Sequence, residues 1–269
     1  MKDFKLIEKY TKNQYKNHEK LGDRINLWSF GTNPIPLQEW IFKRTAPQEN
    51  EFILELGGGT GKLWSENYSK ISSLYKIIFS DFSKNMLIEA EKNLRPLKLN
   101  MDFQLINAED IPYADESFDI VLGCHMLYHV PDIKKALKEI NRVMKSNGRF
   151  ISTTTSQHHI KELIDFLESF GLSFEEKTKF FSEFRNETGK SVLRPFFRNV
   201  EFHEYINPVE ITEVPPLMKY IESMFQSEFY PHFQENKPKI KNSITKILEE
   251  KKKFTITGIT GLFIARKND

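Results

Sequence analysis

The residues most informative about chemistry lie in the stretch EFILELGGGTGKLW, residues 51–64. An apolar run typical of a buried parallel strand contains Glu55 near its end, and glycines follow at positions 57, 58, 59 and 61. Glycines at the end of a strand allow a sharp turn and let a ligand approach the backbone closely. We therefore predict that Glu55, Gly57 and Gly59 belong to a ligand-binding turn.

The spacing of these glycines excludes two common phosphate-binding patterns. The dinucleotide-binding pattern would need a glycine where Lys62 stands, and the P-loop would need glycine at Leu56 and serine or threonine at Leu63. A phosphate also needs hydrogen-bond donors and positive potential, which the Glu55 carboxylate opposes. The turn therefore favours a ligand that carries a cationic group.

Polar groups follow the next two predicted strands as well. Asp81 ends the run IIFSDFS, about where an acidic residue binds ribose hydroxyls in nucleotide-binding sheets. After the third run, Glu109 or the backbone of Ala108 could bind the exocyclic amine of adenine, with Met86 as an apolar face. Asp81 could otherwise cap a helix, and the acidic residues before Ile111 could simply form a turn. A ligand with a cationic end, a ribose, an adenine and no phosphates is S-adenosylmethionine.

The elements that must position these groups alternate between apolar runs and helix-like stretches. The apolar runs cover residues 52–56, 77–80, 102–106, 118–123 and 148–153, and the helix-like stretches cover residues 63–75, 83–94 and 132–144. This alternation predicts an α/β, doubly wound parallel sheet that binds its ligand outside the carboxyl ends of the strands. Residues 199–205 and 254–267 alternate as antiparallel strands and flank a helical stretch at 215–253.

Four ordered stretches resemble class I S-adenosylmethionine-dependent methyltransferases, in the small-molecule branch that includes the ubiquinone and menaquinone biosynthesis enzymes. The stretches are ILELGGGTG, FSDFSKNML, NAEDIPYADESFDIVLGCHMLYHVPD and LKEINRVMKSNGRFIST. The resemblance covers residues 51 to about 155, with Ser146-Asn147 where Pro-Gly is usual and Asn107 where Asp is common. It implies a Rossmann-like, seven-stranded sheet with an antiparallel last strand, S-adenosylmethionine as donor, S-adenosylhomocysteine as product and no metal. The matching stretches add Phe82 and Cys124 to the predicted donor site.

A second group of residues is predicted to face the methyl acceptor. His125 and His129 follow the fourth strand and would share a face if that segment were helical, so they could orient the acceptor or act as a general base. A metal site is the weaker alternative because no third ligand lies nearby in the sequence. The predicted acceptor pocket consists of Trp28, Tyr128, His158 and His159. Trp40 and the phenylalanines between Phe166 and Phe197 suit the core, although the latter could also form a lid over the donor.

We expect one methyltransferase domain over residues 1–269. Its parts would be an N-terminal helical cap (1–50), a donor-binding core (51–155), and helical insertions with the terminal antiparallel strands (156–269), the helical additions lying over the carboxyl ends of the strands. The single cysteine fits a reducing compartment, and residues 1–20 lack the apolar core of a signal peptide. With no apolar run long enough to span a membrane, we predict a cytoplasmic protein.

The predicted reaction is direct, in-line methyl transfer from S-adenosylmethionine to a small-molecule acceptor, which needs orientation and exclusion of water more than acid–base groups. A net charge of +2 makes a nucleic-acid partner improbable. The alternatives are an RNA or protein methyltransferase, or a non-catalytic module that binds the donor. The sequence does not predict the acceptor or the oligomeric state.

Overall fold

The protein is described by a computed structural model that covers residues 27–174, 183–225 and 230–267. Most of the predicted N-terminal cap, residues 1–26, lies outside the described residues. Within them, the β-strands form one seven-stranded sheet in the order β3-β2-β1-β4-β5-β7-β6. The strands are β1 Phe52–Glu55, β2 Lys76–Asp81, β3 Met101–Leu105, β4 Phe118–Cys124, β5 Met144–Thr155, β6 Phe197–Ile211 and β7 Phe254–Lys267.

The direction of the strands follows the predicted pattern. Strands β1 to β5 pair in parallel, whereas β7 runs antiparallel to both β5 and β6. The register places Glu55 beside Phe79 and Asp81 beside Leu105, so the polar ends of neighbouring strands meet at one edge. The predicted Rossmann-like sheet with an antiparallel last strand is confirmed.

Helices cover the sheet and connect its strands. In the described residues they are α1 Leu37–Thr45, α2 Lys62–Ser65, α3 Lys84–Leu94, α4 Ile133–Val143, α5 Lys161–Glu168, α6 Gly189–Leu193, α7 Val214–Met224 and α8 Tyr230–Lys251. The side chains of Ser83 and Asp132 accept backbone N–H groups at the starts of α3 and α4. Helix α3 therefore begins directly after the strand that ends at Asp81, and α4 begins after the segment that follows β4. No helix in the described part of the chain is both long enough and apolar enough to cross a membrane.

The helix predicted over residues 63–75 is wrong in its length. Helix α2 ends at Ser65, and a 3₁₀ turn follows at Tyr68–Lys70. The buried Asn67 explains the difference, because its Nδ2 donates to the carbonyl oxygens of Leu63 at 2.8 Å and Gln38 at 3.1 Å. A side chain that takes a helical carbonyl competes with continuation of the helix.

Both faces of the sheet are covered by apolar clusters. Helix α4 packs on one face with Phe118, Phe150 and Phe197, while Trp40 and Trp64 belong to the cluster on the other face. A third cluster joins α5, α7 and α8 to the end of β6 and the start of β7. Trp40 is buried, as predicted, and so are the phenylalanines at 174, 184 and 197. Residues 175–182, which also fall in the predicted lid segment, lie outside the described residues.

Candidate active site

The glycine turn and Asp81 are joined by backbone hydrogen bonds. Gly59 N–H donates to Asp81 Oδ2 at 3.0 Å, and Ser83 N–H donates to Asp81 Oδ1 at 2.7 Å. Burial raises the pKa of Asp81, while the N–H groups of Ser83 and Gly59 act in the opposite direction. A carboxylate has about four acceptor positions, and the N–H groups of Gly59, Ser83 and Phe82 occupy part of them, so Asp81 keeps some acceptor capacity for a ligand.

The turn itself is open where a ligand would approach. Gly57 and Gly59 have φ values of +66° and +59°, which favour glycine. A Cβ atom on Gly59 would meet no heavy atom within 4 Å, whereas a Cβ on Gly57 would lie 2.8 Å from Met126 Cβ. Met126 therefore closes one side of the turn and leaves the side at Gly59 free.

Glu55 lies beneath the turn rather than on its open side. Its side chain has 2% of its surface exposed, and its Oε2 accepts from Trp64 Nε1 at 2.5 Å. Burial, with a smaller contribution from the charge of Asp81, raises the pKa of Glu55 to about 7, although the hydrogen bond from Trp64 acts in the opposite direction. In this conformation the Glu55 carboxylate is covered and paired with Trp64, and its contact with a cationic group stays a prediction.

The residues predicted for the adenine side differ in their access to a ligand. Phe82 is 59% exposed beside Asp81, whereas Met86 is 2% exposed and Ala108 is 6% exposed. The Glu109 carboxylate accepts from Asp132 N–H at 2.6 Å, so it ties its loop to the start of α4. Phe82 is thus the predicted residue with the largest open apolar surface on this side.

The sequence analysis missed Leu105, which is 58% exposed at the end of β3. Leu105 is in register with Asp81 in the parallel pair of β2 and β3, and Phe82 is the residue that follows Asp81 in the chain. The sequence signal for Leu105 was its position as an apolar residue at the end of a strand, opposite Asp81 on the neighbouring strand.

Cys124 ends β4 near the buried Glu55. Burial raises the pKa of the Cys124 thiol, and the Glu55 charge adds to the effect, although a hydrogen bond with Thr153 opposes it. A thiol with a raised pKa stays protonated and is a poor nucleophile. Cys124 therefore contributes packing and polarity at this strand end rather than a reactive thiolate.

His125 occupies a strained position directly after β4. It has a φ of +53°, and its N–H donates to the backbone oxygen and to Oγ1 of Thr153, both at 3.1 Å. The following residues, Leu127–His129, form a 3₁₀ turn. The predicted helical face shared by His125 and His129 is therefore wrong, because the segment contains no α-helical turn that would align positions four residues apart.

Aromatic and imidazole rings line the neighbouring strand ends. The ring centroids of Trp28 and His159 lie 5.3 Å apart, and those of His125 and Tyr128 lie 6.4 Å apart. Tyr128 also contacts His129 at 4.5 Å. Tyr220, which the sequence analysis missed, meets the edge of Trp28 at 6.2 Å. We refer to Trp28, His159, His125 and Tyr128 as the ring row.

Both histidines of the ring row are neutral at physiological pH. Burial lowers the pKa of His125 to about 4, with a further contribution from the nearby His159, and burial also lowers the pKa of His159 to about 4. His159 Nδ1 lies 3.0 Å from the backbone N of Ile259 and 3.2 Å from its carbonyl oxygen, so the backbone of Ile259 holds this side of the imidazole. His158 is exposed and its ring lies by Gln157 Nε2 at 3.2 Å, outside the row.

Comparison with known proteins decides the family. A methyltransferase domain family matches residues 54–152. The ubiquinone/menaquinone biosynthesis C-methyltransferase of Rickettsia akari is 33% identical over 182 residues, which cover 63% of this chain and 72% of that protein. This chain belongs to the S-adenosylmethionine-dependent methyltransferases. The predicted enzyme class, donor and small-molecule type of acceptor are thereby confirmed.

Solved structures agree with the fold of this methyltransferase. A phosphoethanolamine methyltransferase of Haemonchus contortus aligns with a TM-score of 0.58 and 20% identity, covering 100% of this chain and 61% of that one. The YcgJ protein of Bacillus subtilis aligns with a TM-score of 0.54 and 17% identity, covering 86% of this chain and 98% of that one. Within residues 27–174, 183–225 and 230–267, no three His, Cys, Asp or Glu side chains come together as metal ligands.

Proposed function

We propose that this methyltransferase acts on a neutral, planar small molecule that binds against the ring row, while Asp81 and the glycine turn hold the donor. The observation that carries the proposal is the ring row itself. Its two imidazoles are uncharged because burial lowers the pKa of each to about 4. Flat rings beside uncharged imidazoles can stack on an aromatic acceptor, and they offer no positive group to hold a phosphate.

The residues at the turn are compatible with S-adenosylmethionine. The Asp81 carboxylate keeps acceptor capacity beyond its backbone N–H partners, which the ribose hydroxyls could use. The space at Gly59 admits a ligand to the backbone, and the exposed Phe82 offers a flat surface for a base. When bound, the donor supplies an electrophilic methyl group on a sulfonium.

The ring row would orient the acceptor for in-line attack. His159 is held through Nδ1 by the backbone of Ile259 and would present Nε2 to the acceptor, and neutral His125 would accept through its unprotonated nitrogen. A histidine with a pKa of about 4 is a weak base at neutral pH, so we assign His125 to orientation rather than to strong proton abstraction. Correct placement and exclusion of water would supply most of the rate.

The relatives suggest which planar acceptors to examine first. The Rickettsia akari protein is named for carbon methylation in ubiquinone and menaquinone biosynthesis. A hydroxylated aromatic ring has carbon atoms that are nucleophilic enough for such a transfer, and it is neutral and flat. A hydroquinone is therefore the first acceptor class that we propose for this chain.

An acceptor panel tests this proposal. Formation of S-adenosylhomocysteine is measured with a hydroquinone and with phosphoethanolamine as acceptors. We expect turnover with the hydroquinone alone, and we expect Trp28→Leu to raise its KM by about tenfold, the size of one lost aromatic contact, without changing the affinity for the donor. Preference for phosphoethanolamine, or equal loss of donor and acceptor binding in Trp28→Leu, would contradict the proposal.

A further inference from the structure

The loop after β3, residues 107–117, is held by helix α4. At its start, Glu109 accepts from Asp132 N–H, and Ile111 N–H donates to Glu139 Oε2 at 3.0 Å. At its end, the N–H groups of residues 116 and 117 donate to the carbonyls of the last two residues of α4. The geometry of this loop therefore depends on contacts with one helix.

Arg142 makes the densest set of these contacts. Its Nη1 donates to the carbonyl of Tyr113 at 2.7 Å and to Asp115 Oδ1 at 2.9 Å. Its Nη2 donates to the carbonyl of Ile111 at 2.9 Å and to Glu139 Oε2 at 2.8 Å, and its Nε donates to Glu139 Oε1 at 2.9 Å. The planar guanidinium thus joins two loop carbonyls to a carboxylate of its own helix, a geometry that lysine cannot reproduce.

The held segment lies next to the proposed donor site. Ile106 N–H donates to the carbonyl of Asp81 at 3.2 Å, so the loop begins at the ribose-binding strand end. Ala108 and Ile111 are buried in the same apolar cluster as α4. A shift of the Arg142 contacts would therefore move the backbone around Ala108.

We propose that Arg142 is a positioning residue for recognition of the donor's adenine. It fixes the loop at the geometry in which the backbone around Ala108 meets the base, without touching the donor itself. The inference rests on the proposed placement of the donor. If the loop is not held in advance, it must become ordered when the donor binds, and this cost lowers the affinity. A loop that positions the base loosely also distinguishes adenine less well from other bases.

Arg149 provides a matched control. Its guanidinium donates to the carbonyls of Thr45 and Ala46 and to both carboxylate oxygens of Glu51. It is in register with Ile120, near the start of β4, at the opposite end of the sheet from Asp81. Arg149→Gln thus removes a comparable set of bonds away from the site.

The test measures the affinities of S-adenosylhomocysteine and S-inosylhomocysteine, in which a carbonyl replaces the exocyclic amine. We expect the wild type to prefer the adenine compound. Arg142→Gln should lower the affinity for S-adenosylhomocysteine by about tenfold and the affinity for S-inosylhomocysteine much less. The ratio of the two affinities should therefore fall toward one. The affinity ratio of Arg142→Lys should lie between those of the wild type and Arg142→Gln, and Arg149→Gln should keep the wild-type ratio.

Three results would overturn the inference, and each has a different meaning. An unchanged preference in Arg142→Gln means that Arg142 acts on stability alone. A wild type that binds both compounds equally means that the base does not meet this loop, so the donor placement fails as well. A wild type that binds neither contradicts donor binding itself. If Arg142→Gln does not fold, Arg142→Lys and Glu139→Gln carry the same comparison.

Discussion

At the scale of single residues, Asp81 gives the sharpest prediction about donor binding. Asp81→Asn leaves one good acceptor and introduces an amide donor that faces backbone N–H groups. We expect donor affinity to fall by about 1 to 3 kcal/mol, the cost of an imperfect buried polar contact. With a 2′,3′-dideoxy donor analogue, wild type and variant should converge, because that analogue has no hydroxyls to lose. Calorimetry with both ligands measures the difference.

Asp119 supplies a control for this substitution. Its carboxylate accepts from Phe52 N–H at 2.9 Å and pairs with Lys145 near the starts of the strands. Asp119→Asn should therefore lower stability without changing donor affinity. Equal losses on the natural donor and the dideoxy analogue in Asp81→Asn would remove the ribose role from Asp81.

Glu55 gives a prediction about stability and pH. Its pKa is raised to about 7 by burial in the folded state, from an ordinary value of 4.5. Its contribution to stability is therefore fully present below about pH 4.5 and is lost as the pH rises through about 7. The free energy of unfolding of wild type minus that of Glu55→Gln should fall by about 2 to 3 kcal/mol between pH 5 and pH 8. Denaturant titrations across this range check it, and a flat difference would show that Glu55 titrates normally.

Sequence reasoning predicted that Asp81 and the glycine turn lie together, because both follow from local order at strand ends, and Gly59 N–H does donate to Asp81. It did not find the bond between Glu55 and Trp64 or the bond between His159 and Ile259, which joins residues 100 positions apart. Such partners depend on how the faces of distant elements meet, and periodicity carries no information about that. The role of Glu55 toward the donor stays a prediction, and its pairing with Trp64 could not be foreseen from the sequence.

At the scale of elements, substitutions at two glycines with similar backbone conformations distinguish the effect of backbone strain from the effect of blocking the ligand. Gly59 and Gly171 have φ values of +59° and +77°, and a Cβ on either would meet no heavy atom within 4 Å. Valine at either position should cost about 1 to 2 kcal/mol of stability, because left-handed backbone disfavours side chains. We expect donor binding to be lost in Gly59→Val alone, as measured by calorimetry. Normal donor binding by a folded Gly59→Val would contradict the assignment of the turn.

The inner parallel strands could be predicted closely because a parallel sheet buried on both faces gives short apolar runs between helical stretches, whereas β5 and β6 are longer than the predicted runs at 148–153 and 199–205. The predicted runs at 77–80 and 102–106 lie within one residue of β2 and β3. The length of α2 and the turn at His125 could not be predicted, since a buried asparagine side chain and a strained backbone decide them. Local competition of this kind overrides helix propensity.

At the scale of the whole molecule, the ring row depends on segments that are far apart in the sequence. Trp28 packs on β7, where a Cβ at Gly258 would lie 2.6 Å from its ring, and Thr32 N–H donates to the carbonyl of Pro208 at 2.8 Å in β6. The residues before β1 and the last two strands therefore contribute Trp28 and its neighbours to the proposed acceptor side. His125 and Tyr128 of the ring row lie within the family-matched residues 54–152, whereas Trp28 and His159 lie outside them.

The central claim is methyl transfer from S-adenosylmethionine to a small molecule. The most direct measurement incubates the protein with methyl-labelled donor and a small-molecule extract of its own cells, and follows both the label and S-adenosylhomocysteine. We predict that label enters the small-molecule fraction in equal amount to the S-adenosylhomocysteine formed, and that Asp81→Asn reduces both. Label found in RNA or protein, or donor bound with no S-adenosylhomocysteine formed, would contradict the claim.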